Sequence, residues 1–139
     1  MKSLLAVLMG GVVTLFVFSC ATVPKEPLAP GELRLSSMDV VGSGVDANAS
    51  FAVNVFFEAA GHPELKRACF YESREEQLCL DVSPATFGTK RFFQVYLPGM
   101  NVGPHTVECY AEYIRDGEMR KTNVIATRIS AALSVAPGH

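Results

Sequence analysis

What most restricts the fold of this chain is a period-two alternation of apolar side chains in short runs, each closed by turn residues. Phe51, Val53, Val55 and Phe57 alternate with Ala52, Asn54, Phe56 and Glu58. Successive side chains on a strand point to opposite faces, so this run presents one apolar face. Residues 32–41 carry Leu33, Leu35, Met38 and Val40, and residues 91–97 carry Phe92, Phe93, Val95 and Tyr96. Helical spacing is scarce. Gly42-Ser43-Gly44, Asp46-Ala47-Asn48, Gly61-His62-Pro63, Ser83-Pro84, Pro98-Gly99 and Gly103-Pro104 punctuate the runs, and these are turn-forming residues.

Two hairpins are predicted. Residues 65–71 and 78–82 face each other across the charged loop Glu72-Ser73-Arg74-Glu75-Glu76. Residues 105–114 and 119–130 are joined by Asp116-Gly117, a strong hairpin signal. A two-residue turn there pairs Cys109 with Val124 and puts Ile125 and Ile129 on the face opposite Val107 and Cys109. An odd-numbered loop, with Gly117 as a left-handed bulge residue, pairs Cys109 with Ile125 or Asn123 and gathers the apolar side chains on one face. A slip of one residue exchanges the faces, so burial favours the odd loop.

The count is about seven short strands in about a hundred residues, the arithmetic of an all-β antiparallel sandwich. Gly103-Pro104-His105-Thr106-Val107-Glu108-Cys109-Tyr110-Ala111, followed by a hairpin, looks like the penultimate strand of an immunoglobulin-like domain. Across roughly residues 32–132 the chain resembles that group. It departs from the antibody type: it has no Trp, Val53 and Val55 stand where a partner cysteine is expected, and Val107 stands where a tyrosine corner places Tyr. The resemblance therefore implies a divergent bacterial Ig-like or fibronectin-like module. A closed β-barrel of the small inhibitor or lipocalin sort is the alternative.

The first nineteen residues are of another kind. Met1-Lys2-Ser3 supplies a positive start, Leu4 to Phe18 is apolar but for Gly10, Gly11 and Thr14, and Ser19-Cys20 closes the run. This is the pattern of a secretory signal. About fifteen apolar residues span roughly 22 Å as a helix, short of the bilayer's ~30 Å apolar core. Val17-Phe18-Ser19-Cys20 resembles the lipobox of bacterial lipoproteins. That resemblance implies cleavage after Ser19 and acylation of Cys20, palmitate being a typical chain. Ala21 rather than aspartate after it implies transfer to the outer membrane. An uncleaved membrane helix and a conventional signal cut elsewhere are the alternatives.

Residues 20–31 follow as a lipidated N-terminus and stalk. Pro24, Pro27 and Pro30 recur every third residue, which favours an extended chain reaching roughly 30 Å. A tail without a spacing role is the other reading. The domain then occupies residues 32–132, with residues 133–139 as a C-terminal tail. Removing residues 1–19 takes away only Lys2 among the charges, leaving eleven basic against fourteen acidic residues and a net charge of −3. Such a balance suggests neither nucleic acid nor an anionic lipid surface as partner.

With Cys20 in the anchor, Cys69, Cys79 and Cys109 remain in an oxidising compartment, where pairing is expected. Cys69 and Cys79 lie on the two arms of one predicted hairpin, close enough for a cross-strand bridge. Cys109 is then a buried free thiol. Bridges involving Cys109, and no bridge at all, remain open. No C-x-x-C occurs, and neither cysteines nor histidines have metal-ligand spacing.

No catalytic constellation can be named. His62 sits in a turn, His105 opens a strand and His139 lies in the tail, none beside a nucleophile in a recognised motif. His105 and Cys109 are about 13 Å apart on a strand, too far to share a proton or a metal. Asp39, Asp46 and Asn48 are too irregular for a calcium loop. The expectation is a lipid-anchored cell-envelope protein, outer membrane and facing periplasm or cell surface, with a non-enzymatic binding or assembly role and no cofactor. Its partner would be an envelope protein or a surface polymer. The alternative is a small lipoprotein inhibitor or ligand-binding barrel.

Overall fold

A computed structural model of the chain describes residues 26–73 and 76–133. The signal segment, residues 20–25 of the stalk with Cys20, and residues 134–139 of the tail lie outside the described residues. Ten strands follow one another: β1 (Leu33–Val40), β2 (Val45–Asp46), β3 (Phe51–Ala59), β4 (Glu64–Glu72), β5 (Leu78–Asp81), β6 (Ala85–Phe87), β7 (Lys90–Leu97), β8 (Gly103–Arg115), β9 (Glu118–Lys121) and β10 (Ile125–Ala132). One sheet has the order β1-β3-β7-β6. The other has the order β2-β10-β8-β4-β5, with β9 paired to β8. Every pair is antiparallel except β2 beside β10. The protein is an all-β sandwich of two sheets. The sheets do not close on one another, so the barrel alternative is set aside. The three strands beyond the expected seven are β2, β6 and β9, of two, three and four residues.

The alternation does what it predicts. Phe51, Val53, Val55 and Phe57 of β3 are buried, as are Phe93, Val95 and Leu97 of β7. They meet Phe70 and Ala68 of β4, Val107, Cys109 and Ala111 of β8 and Ile129 of β10 in one cluster between the sheets. Val53, Val55 and Phe93 are fully covered, and each such side chain contributes about 1.5–3 kcal/mol through burial. In β1 the apolar phase switches between Leu35 and Met38. A bulge between Leu35 and Ser37 accounts for it, returning Met38 to the inner face. Glu112 is the buried charged residue among the described ones, and it is bonded to Arg67 on the neighbouring strand. That bond, and the Glu112 charge, hold the Arg67 guanidinium above its ordinary range.

The second hairpin corrects the sequence reading. The turn is a two-residue one: Arg115 pairs with Glu118, and Asp116 and Gly117 have φ of 53° and 78°. Positive φ at both positions is the type I′ signature, whose twist suits a hairpin. Yet Cys109 pairs with Ile125, as the odd loop required. Both hold because residues 122–124 separate β9 from β10 and add one residue to that arm. Thr122 bridges the gap. Its N–H donates to the Ala111 carbonyl and its Oγ1 accepts from the Ala111 N–H, both at 2.9 Å. The region expected as one strand over 119–130 is therefore two, and the register shift sits at the break rather than at Gly117.

The two ends of the sandwich are distinct. At one end the Glu26 carbonyl accepts from Arg34 at 2.9 Å. Gly31 donates to Ala60, and Ala60 to Glu32, tying the last stalk residues to the β3–β4 turn. This entry end also holds the start of β4 and the β8–β9 turn, through the pairs Leu33↔Ala59 and Glu64↔Ile114. The far end holds the end of β4, the β7–β8 loop and the start of β8, through Phe51↔Leu97 and Glu72↔Val107. The nine residues of β3 put roughly 30 Å between the ends.

Candidate functional site

The far end carries a concavity of about 300 Å³. Its floor is apolar because β4, β7 and β8 each turn an inward-facing residue toward it: Phe70, Leu97 and Val107, all nearly fully buried. Leu78 at the start of β5 and Met100 in the β7–β8 loop form its sides. Glu72, Glu76, Asn101 and His105 form its rim. Among the described residues no lysine or arginine lines it.

The wall formed by residues 98–101 is held in place from two directions. A methyl group on Gly99 would lie 2.5 Å from the Ala47 carbonyl oxygen and 3.1 Å from that of Ala49. Glycine here lets the loop approach the backbone of the β2–β3 turn. That turn is itself fixed, since Asp46 Oδ1 accepts from the Asn48 N–H at 2.8 Å. On the other side, His105 Nε2 lies 2.5 Å from the Asn101 carbonyl oxygen and His105 Nδ1 lies 2.5 Å from Glu72 Oε2. A neutral imidazole has one N–H, whereas the imidazolium has two. Here each ring nitrogen faces one oxygen, one on β4 and one in the β7–β8 loop. His105 thereby clamps the end of β4 to the β7–β8 loop.

Beside the rim, the Tyr71 ring lies 6.3 Å from that of Tyr110, whose hydroxyl donates to Gln77 at 3.1 Å. Burial, with Glu108 accepting its hydroxyl proton, raises the Tyr71 phenol above its usual value of 10.0. Charge is unevenly spread. Asp39, Asp46, Glu72, Glu76 and Glu108 lie on the far half, against Arg128 as the lysine or arginine of that half among the described residues.

A second depression of about 260 Å³ lies on the outer face of the four-stranded sheet, between Ser37, Asp39, Phe56, Glu58 and Lys90. The Lys90 ammonium sits 5.6 Å above the Phe56 ring and already covers its aromatic floor.

The cysteines occupy defined places. Cys69 and Cys79 are directly opposite in the β4–β5 hairpin, with Cα atoms 4.0 Å and sulfurs 2.10 Å apart, at bonding distance. Cys109 is buried and free, and burial pushes its thiol up to about 12. Such a thiol is a packing residue and a poor nucleophile at neutral pH. His62 lies at the entry end near Arg91, 3.4 Å from its guanidinium, and does not meet His105. His139 lies outside the described residues. Among the described residues no group of three or more His, Cys, Asp or Glu could hold a metal ion, and no helix is long and apolar enough to cross a membrane.

The contact between Glu72 and His105, 33 positions apart, is not legible in the sequence, where His105 opens a strand and Glu72 belongs to a charged loop. The one available signal was that Glu72 ends its strand and His105 stands near the start of its own, at what must be the same end of the sandwich. No protein-family model matches the chain, and no curated protein matches it in sequence.

Proposed function

We propose that this is a lipid-anchored cell-envelope protein whose sandwich serves as a non-enzymatic binding or assembly module, tethered at one end and presenting its binding surface at the other. The observation that carries the reading is the opposition of the two ends. The chain enters beside Arg34 and Ala60, while the preformed concavity lies at the far end of the strands. A proline-rich stalk, followed by a domain roughly 30 Å long, holds that surface clear of the bilayer. Acylation of Cys20 supplies the tether, and two or more chains are needed for firm anchoring. The outer membrane is the expected location, with an envelope protein or surface polymer as the class of partner.

The test is membrane fractionation of the full-length gene product and its Cys20→Ser variant, with the intact mass of each. The reading expects the native chain in the membrane fraction as residues 20–139 plus acyl groups, and the variant released. An unchanged membrane-bound fraction for the variant, or a native mass without lipid, overturns the anchor.

A further inference from the structure

We propose that the far-end concavity is a docking site for a partner polypeptide, seating one apolar side chain flanked by lysine or arginine. The inference rests on the binding-module reading above and names its partner's chemistry. At about 300 Å³ the site lies at the lower limit for whole small-molecule ligands and suits a single leucine-sized side chain with part of its backbone. The floor of Phe70, Leu97 and Val107 offers apolar contact. Gly99 and the His105 clamp fix the wall in advance, so little ordering is needed on binding.

Charge selects the flanking residues. Both acidic rim residues face an opening that has no lysine or arginine among the described residues of its lining. The two ring nitrogens of His105 are taken by Glu72 and the Asn101 carbonyl, so the ring offers no donor to an anion. Glu76 is exposed at the rim. Among the described residues the surrounding far half adds Asp46 and Glu108 against Arg128, a field that favours basic segments and repels acidic ones.

The experiment is a titration of the full chain, in neutral detergent micelles, with three capped tripeptide amides: Lys-Leu-Lys, Glu-Leu-Glu and Lys-Gly-Lys. Methyl NMR signals of Leu78, Met100 and Val107 report occupancy. The expected result is saturable shifts with Lys-Leu-Lys and affinity weaker by about tenfold or more, roughly 1.4 kcal/mol, for each control. The exposed substitution Glu76→Lys should remove that preference over Glu-Leu-Glu while the remaining spectrum is kept. Equal binding of Glu-Leu-Glu overturns the charge selection, equal binding of Lys-Gly-Lys overturns the pocket, and no saturable shift overturns the site. The titration does not depend on the state of Cys20. It can fail while the anchor stands, and a missing anchor leaves its result intact.

Discussion

The side chain of Asn123 binds both backbone polar groups of Leu35, in the opposite sheet. Its Oδ1 accepts from the Leu35 N–H at 2.8 Å and its Nδ2 donates to the Leu35 carbonyl at 3.0 Å. β1 is an outer strand, and at its bulge one primary amide stands in for a missing neighbour. An amide side chain offers a donor and an acceptor with the spacing of a peptide group. Asn123 lies in the break between β9 and β10, so the irregularity that shifts the hairpin register also ties the two sheets together. Asn123→Ala should cost about 2 kcal/mol, read as a fall in the denaturant midpoint. Asn123→Asp should be at least as damaging at neutral pH, because it sets a carboxylate against the Leu35 carbonyl. An Asp variant as stable as the native chain would contradict this.

Gly99 is a point of close approach. Gly99→Ala places a methyl 2.5 Å from a backbone oxygen, and backbone cannot yield as the end of a side chain can. A loss of about 1–3 kcal/mol is expected, accompanied by shifts of the Met100 and Val107 methyl signals as the pocket wall moves. Thermal unfolding and methyl NMR of the variant check both parts.

The bridge between Cys69 and Cys79 closes a short loop, with a sequence separation of 10. Loop-closure entropy gives it roughly 3 kcal/mol. Reduction should therefore lower the urea midpoint by that equivalent. A Cys69→Ala/Cys79→Ala variant should show no further change with reductant.

Cys109 makes stability fall in alkali. Its folded pKa is raised from 9.0 to about 12 by burial, so the folded thiol keeps a proton that the unfolded chain releases. The stabilisation is complete below pH 9 and is lost as pH rises toward 12, at about 1.4 kcal/mol per pH unit. Unfolding free energies of native and Cys109→Ala chains between pH 8 and roughly 11 should converge with that slope. Parallel curves would refute a buried neutral thiol.

How much could be read in advance follows the range of each interaction. β3 and β7 were legible because alternation is local and both bury one face. The switch of phase between Leu35 and Met38 was visible too, and the bulge at Ser36 is its cause. The Cys69 and Cys79 pair followed from one hairpin. β2 and β6 were not legible: two and three residues leave no period to detect, and Val45 is buried only because a parallel neighbour, β10, lies beside it. Asp116-Gly117 announced its turn, but the compensating residue came from Thr122 and Asn123, polar residues whose role depends on Ala111 and on Leu35 in another sheet. The His105–Glu72 clamp was hidden for the same reason, since its partners meet only once β4 and β8 pair.

The most direct test of the account is the orientation of the sandwich on a membrane. The full-length gene product, purified from its own membranes, would be placed in phosphatidylethanolamine–phosphatidylglycerol vesicles carrying an energy-transfer acceptor on the lipid headgroups. A donor dye would be attached through an azide-bearing residue at Glu118, beside the entry-end turn, or at Val102, in the far-end loop; both positions are exposed. The account predicts strong transfer from position 118 and much weaker transfer from position 102. Equal transfer from both, or stronger transfer from position 102, would contradict a module that holds its binding end away from the bilayer.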